Sequence, residues 1–221
     1  MKNTEILKIE NISNADEEIV KLFYDEINTI DKKIIDLMKS KDLKFILANK
    51  LSDIYHGDNS DIEKYQNYHP ADRDIVTRGN CSDVTNSIAI FANNVTVQNL
   101  GANLYHEVGH FLDMYHVWQE PEDDSTYKYG QLSSKEEFLN AYKNDITKNW
   151  DKIKNDNRFR LKHYIQNSTP DNIVPIALIE TFAHCFARSH NRFDDIDIVG
   201  EYFNETLAIT KNIYTEYLKN L

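Results

Sequence analysis

Residues Ser87 to Tyr115 read SIAIFANNVTVQNLGANLYHEVGHFLDMY. Ser87 to Ala92 is a short, nearly continuous apolar run rich in Ile, closed by Asn93-Asn94. That pattern predicts a buried strand. Thr96 or Asn94 is placed to cap a helix, and Leu100, Leu104, Val108, Phe111, Leu112 and Tyr115 then recur at helical spacing. Upstream, residues 5–12 alternate loosely and predict a strand. Ser13 and Asp16 fit a capping box. Ile19, Phe23, Ile27, Ile30, Ile34, Leu37 and Met38 lie on one stripe, predicting a single amphipathic helix over roughly 15–39. Leu43 to Leu51 (LKFILANKL) predicts a second strand, so the opening is strand–helix–strand, the unit of a small sheet backed by a helix. Residues 52–80 are polar and mixed and read as a loop with at most one helical turn.

Downstream, residues 119–134 (QEPEDDSTYKYGQLSS) read as an acidic, turn-rich insertion. Residues 134–165 read as a charged helical region with Phe138, Tyr142, Ile146, Trp150 and Ile153 as its stripe, broken by Thr169-Pro170-Asp171-Asn172. A helix apolar nearly all round follows at about 173–189, and residues 199–221 read as a last amphipathic helix. Only 6 Gly and 4 Pro punctuate 221 residues, which agrees with a helical majority. The expectation is one α+β domain over 1–221, mostly helical with a small mixed sheet. Its sheet-containing lobe is 1–95 and its helical lobe 96–221.

Charge narrows the function. There are 25 basic and 36 acidic residues, a net charge of −11, which opposes binding to phosphate backbones and to anionic membrane surfaces. The longest apolar run, Ile173 to Ile179, is far short of the ~20 residues of a membrane span. Charges interrupt the apolar residues of the first ten positions, so no secretory signal is read there. Cys81 and Cys185 cannot form a disulfide framework and are expected as two reduced thiols. A monomer is expected.

His106-Glu107-Val108-Gly109-His110 carries the chemistry. Histidines at i and i+4 project from one face of a helix and can bind a single Zn²⁺, with Glu107 beside them as general base for water. Leu104, Val108, Phe111 and Leu112 on the same turns make this a core helix. Gly109 costs a helix interior about 1 kcal/mol against Ala, which is reasonable where backbone or substrate must approach closely. A catalytic zinc takes a third protein ligand and keeps one position open. His116 offers HExxHxxDxxH, with Asp113 where a Gly would turn the chain. Glu180 lies on the buried helix, where a carboxylate is costly unless paired or metal-bound. His184, one turn on, is either a partner of Glu180 or the ligand itself. Cys185 beside His184 points about 100° away, against a Cys–His nucleophile.

His106-Glu107-Val108-Gly109-His110-Phe111-Leu112-Asp113, followed by Glu180-Thr181-Phe182-Ala183-His184-Cys185-Phe186, resembles the catalytic domain of anthrax lethal factor and the related clostridial Pro-Pro endopeptidases. The resemblance implies a zincin-like metalloprotease fold, one zinc per chain, and His106, His110 and Glu180 as its ligands. It implies Glu107 as general base, with Asp113 and His184 supporting the ligands from behind. His184 stands where the family usually has an acidic residue, so it cannot supply negative charge. The family's oxyanion-stabilising Tyr falls by spacing on Ile173, leaving Tyr164 as the nearest upstream Tyr and His163 as an alternative donor. The reading is thus a zinc-dependent endopeptidase acting on a peptide or protein. An inactive zincin scaffold that binds a peptide is the alternative. Ser87–Ala92 is expected to receive an extended peptide by strand addition. The resemblance also implies a secreted or toxin-like role; without it the chain reads as cytoplasmic.

Overall fold

The computed structural model describes residues 2–54, 77–83, 85–115, 130–192 and 197–221. Strand β1 (Lys8–Asn11) and strand β2 (Lys44–Ala48) run parallel, Lys8 opposite Lys44 and Asn11 opposite Leu47. They can do so because helical chain returns between them. That return is helix α1 (Glu17–Thr29) and helix α2 (Lys32–Ser40), not one continuous helix. The apolar stripe runs through both, which hides the break. Ile30 is extended, and Asp31 accepts from the Lys33 amide at 2.8 Å to cap the second helix. At the start of α1 Asp16 caps alone, accepting from the Ile19 amide at 2.9 Å, while Ser13 bonds to Asn11.

The polar stretch before Ser87 contains an unforeseen strand, β3 (Gly79–Ser82). It pairs antiparallel with strand β4 (Ser87–Phe91), Gly79 opposite Ile90 and Ser82 opposite Ser87. β4 also pairs parallel with β2, giving the order β1-β2-β4-β3. Every residue of β4 is buried, as expected of a strand covered on both faces. Because β4 is paired on both sides, Ser87–Ala92 cannot accept an added peptide strand. A short 3-10 turn at Leu51–Asp53 follows β2. The rest of the predicted loop, 55–76, lies outside the described residues.

Helix α3 (Leu100–Asp113) begins later than either Asn94 or Thr96. The Thr96 carbonyl accepts from the Leu100 amide at 2.9 Å, but Asn94 spends its side chain on the Thr77 carbonyl at 2.7 Å. The chain divides into two compact units, Met1–Glu107 and Val108–Leu221, with the boundary inside α3.

The second unit is helical. The region read as charged and helical over 134–165 is two helices, α4 (Glu136–Ile153) and α5 (Phe159–Ile165). Asp156 interrupts them, because its carboxylate turns back to the Arg158 amide and guanidinium and accepts from the Tyr202 hydroxyl at 2.9 Å. Helix α6 (Pro175–Ser189) has Pro at its start and buries most of its surface, as its all-round apolarity predicts. The C-terminal segment is α7 (Ile198–Tyr202) and α8 (Asn204–Lys219), parted at Phe203, whose buried ring stacks on Tyr142 with centroids 5.6 Å apart. Buried Asp145 in α4 accepts from the Thr206 amide and hydroxyl, both at 2.8 Å, and pins α8. Cys81 and Cys185 are both free thiols. Among the described residues no helix is long and apolar enough to cross a membrane.

Candidate metal centre

The helical rise of α3 sets His106 and His110 one turn apart on a common face. Glu180 comes from the middle of α6. The entry to α6 is fixed by Ser168, whose hydroxyl accepts from the Val174 amide at 2.9 Å. The Tyr164 carbonyl, near the end of α5, accepts from Thr181 and from Tyr142, each at 3.1 Å, so α4, α5 and α6 are tied beside the Glu180 turn.

Gly109 lets α6, which carries Glu180, approach α3 closely. A Cβ on Gly109 would lie 2.8 Å from the Ala183 Cα and 3.2 Å from its carbonyl oxygen. The partner in the close approach foreseen for this glycine is therefore the backbone of α6. Ala183 lies one turn from Glu180, and the His110 Nε2 to Glu180 Oε1 distance is 3.7 Å. One ligand atom from each of His106, His110 and Glu180 lies within 4.8 Å of the others. Two donors at ~2.0–2.1 Å on a tetrahedral zinc stand ~3.3 Å apart, so small side-chain adjustments would close the set on one ion. Two imidazoles and a carboxylate are also a donor set that zinc takes. The His110 and Glu180 side chains are 16% and 14% exposed, which leaves the cluster open to solvent on one side.

Glu107, next to His106 in the chain, is buried. Its carboxylate lies against the backbone of β3: a Cβ on Gly79 would meet Glu107 Oε1 at 2.7 Å and Cγ at 2.8 Å. Cys81, two residues along the same strand, is coupled to it. Burial pushes the Cys81 thiol well above its usual range, and the negative charges of Glu107 and Asp83 add to that. Gly79 was not singled out from the sequence, and Cys81 was read there only as a reduced thiol. The signal available was a glycine spent inside a strand, hidden because the strand itself is polar.

Tyr164 is buried with its ring against that of His184, centroids 4.1 Å apart. The two are therefore neighbours one helical turn from Glu180, and His184 is not in the group of ligand atoms that converge. Asp113 closes α3 and is fully buried. Its Oδ1 accepts from the Leu132 and Ser133 amides, both at 2.7 Å, and its carbonyl accepts from the Gln131 amide at 2.7 Å. Burial pushes the Asp113 carboxyl up in pKa, against the opposing pull of its hydrogen bonds from Ser133 and Leu132 and of His110. Its carboxylate thus anchors the 131–133 turn. His116, the acidic run at 120–124 and the side chain of His163 lie outside the described residues.

No family model matches the chain, and no curated protein matches it. Among solved structures it is similar to the Pro-Pro endopeptidase PPEP-2 from Paenibacillus alvei, at 13% identity and a TM-score of 0.49. That match covers 96% of this chain and 99% of the other.

Proposed function

We propose that residues 1–221 form one zincin-like catalytic unit, a zinc-dependent endopeptidase that hydrolyses an extended peptide. The observation that carries this reading is the convergence of His106, His110 and Glu180 within 4.8 Å, with Glu107 adjoining His106 in the chain. His106, His110 and Glu180 would hold the ion. When bound, zinc supplies Lewis acidity, acidifying water toward a pKa of ~7 and polarising a carbonyl.

Glu107 takes a proton from the attacking water and passes it to the departing amine. Its buried position beside Gly79 and Cys81 limits competing solvent around the carboxylate. We assign Tyr164, packed on His184, to donating a hydrogen bond to the developing oxyanion. His184 then orients Tyr164 and adjoins the Glu180 turn, and Asp113 fixes the end of the helix that carries His110. The substrate lies along β3, which pairs with β4 on one side and whose Gly79 adjoins Glu107. The proposed role is that of a protein secreted or delivered to a host, as the resemblance implies.

The test is Glu107→Gln with zinc content measured beside cleavage of a peptide library. The reading expects one zinc per chain in both proteins and cleavage by the parent alone, with a loss of about 10²–10⁴-fold in the variant. Zinc bound by the parent without cleavage of any peptide would favour the peptide-binding scaffold instead.

A further inference from the structure

A glycine inside a strand weakens it and needs a reason. For Gly79 the usual reason is missing. No described glycine has a positive φ, so Gly79 has a backbone that any residue adopts. Nor does the pairing require it, since Gly79 sits in regular antiparallel register opposite Ile90. What a side chain would meet is more telling. A Cβ here would stand 2.7 Å from Glu107 Oε1, 2.8 Å from its Cγ and 3.1 Å from its Cδ. All three nearest atoms belong to one carboxylate side chain. None belongs to backbone, unlike at Gly109, where the nearest atom is the Ala183 Cα at 2.8 Å.

We propose that Gly79 is a positioning residue for Glu107: its bare Cα on β3 leaves the space in which the general-base carboxylate is seated. The inference rests on the metallopeptidase reading and adds to it a determinant distant in sequence from the metal motif. Alternate residues of a strand share a face, so Cys81 lies on the same face of β3 as Gly79, and its thiol feels the Glu107 charge. A methyl group at 79 is accommodated by rotating the Glu107 side chain, Cγ included, while the backbone of both elements can stay in place. The rotation moves the one group that must meet the attacking water. Misplacement of a catalytic group by about 1 Å can cost ~100-fold in rate. His106, His110 and Glu180 are untouched by the change, so metal binding and catalysis should separate.

The experiment is Gly79→Ala in the full chain, beside Glu107→Gln. Zinc content, a crystal structure, and kcat and KM on a peptide cleaved by the parent are measured. The expected result is zinc affinity and KM within about threefold of the parent, a displaced Glu107 carboxylate, and kcat lower by about 100-fold. Three results would overturn the inference: a Glu107 carboxylate still in its parental position, an unchanged kcat, or zinc lost in step with activity, which would make Gly79 a scaffold residue. If Glu107→Gln cleaves as the parent does, the general-base reading itself falls. If only Glu107→Gln is inactive, the Gly79 inference alone falls. The crystal structure decides the seating of Glu107 even for a parent that cleaves nothing.

Discussion

Gly109→Ala places a methyl group at the crossing of α3 and α6. The new Cβ would lie 2.8 Å from the Ala183 Cα, 3.2 Å from its carbonyl oxygen and 3.3 Å from its Cβ. Carbon atoms in contact prefer ~3.5–4.0 Å, so the helices must part by about 0.7–1.2 Å. No flexible side-chain tip is available to yield, because two of these atoms are backbone. Two energies oppose each other. Replacing Gly by Ala in a helix interior gains about 1 kcal/mol, while overpacking costs about 1–3 kcal/mol. The metal-free protein is therefore expected to lose about 0–2 kcal/mol. Metal affinity responds more clearly. The Nε2–Oε1 separation, 3.7 Å now, would widen to about 4.5 Å, against the ~3.3 Å that a tetrahedral zinc requires. A loss of at least about tenfold in zinc affinity, ~1.4 kcal/mol, is expected. Competition with a chromophoric chelator gives the affinity, and thermal unfolding in the presence of chelator gives the stability. A variant more stable by about 1 kcal/mol that binds zinc as the parent does would refute the reasoning, since helix propensity alone would then have acted.

If Tyr164 is the donor to the oxyanion, as proposed, Tyr164→Phe is expected to lower kcat by about 10–10³-fold with little change in zinc content. Steady-state kinetics on a library-derived peptide checks this, and an unchanged kcat would remove Tyr164 from the mechanism. Asp156 governs acid stability. Hydrogen bonds from the Arg158 side chain hold its carboxyl far below the ordinary range, with the Arg158 amide and Tyr202 adding to this. A carboxyl depressed in the folded state contributes stability above its unfolded pKa of ~3.9 and loses it as pH falls through the folded value. Asp156→Asn should thus be less stable than the parent near neutrality, and the gap should close as pH drops from about 5 toward 2. Urea unfolding at several pH values measures it, and a gap independent of pH would contradict the assignment.

The sequence was most readable where one face had to be apolar and a charge had no cheap place to sit. The spacing singled out His106 and His110, and the buried setting made Glu180 one of three candidates for a third ligand, the one the resemblance implied; one ligand atom from each of these residues lies within 4.8 Å of the others. Ser87–Ala92 was legible as a strand because both of its faces are covered. Helix breaks were not legible where the apolar stripe continues across them. Ile30 and Phe203 stay on the buried side while the backbone changes direction, so periodicity alone reads through. The break at Asp156 depends on Tyr202 and Arg158, and a partner 46 residues away leaves no local trace. β3 was missed because an edge strand takes its pairing from β4 rather than from its own residues. With it went the relation of Gly79 to Glu107, which exists only once that pairing is made.

Zinc titration into the metal-free full chain, compared with Glu180→Ala, tests the central claim most directly. The account predicts one zinc per parent chain and, for Glu180→Ala, an affinity lower by at least about 100-fold with the fold retained by circular dichroism. Equal affinity in the two proteins would mean that His106 and His110 find their third ligand elsewhere, and the site described here would be wrong.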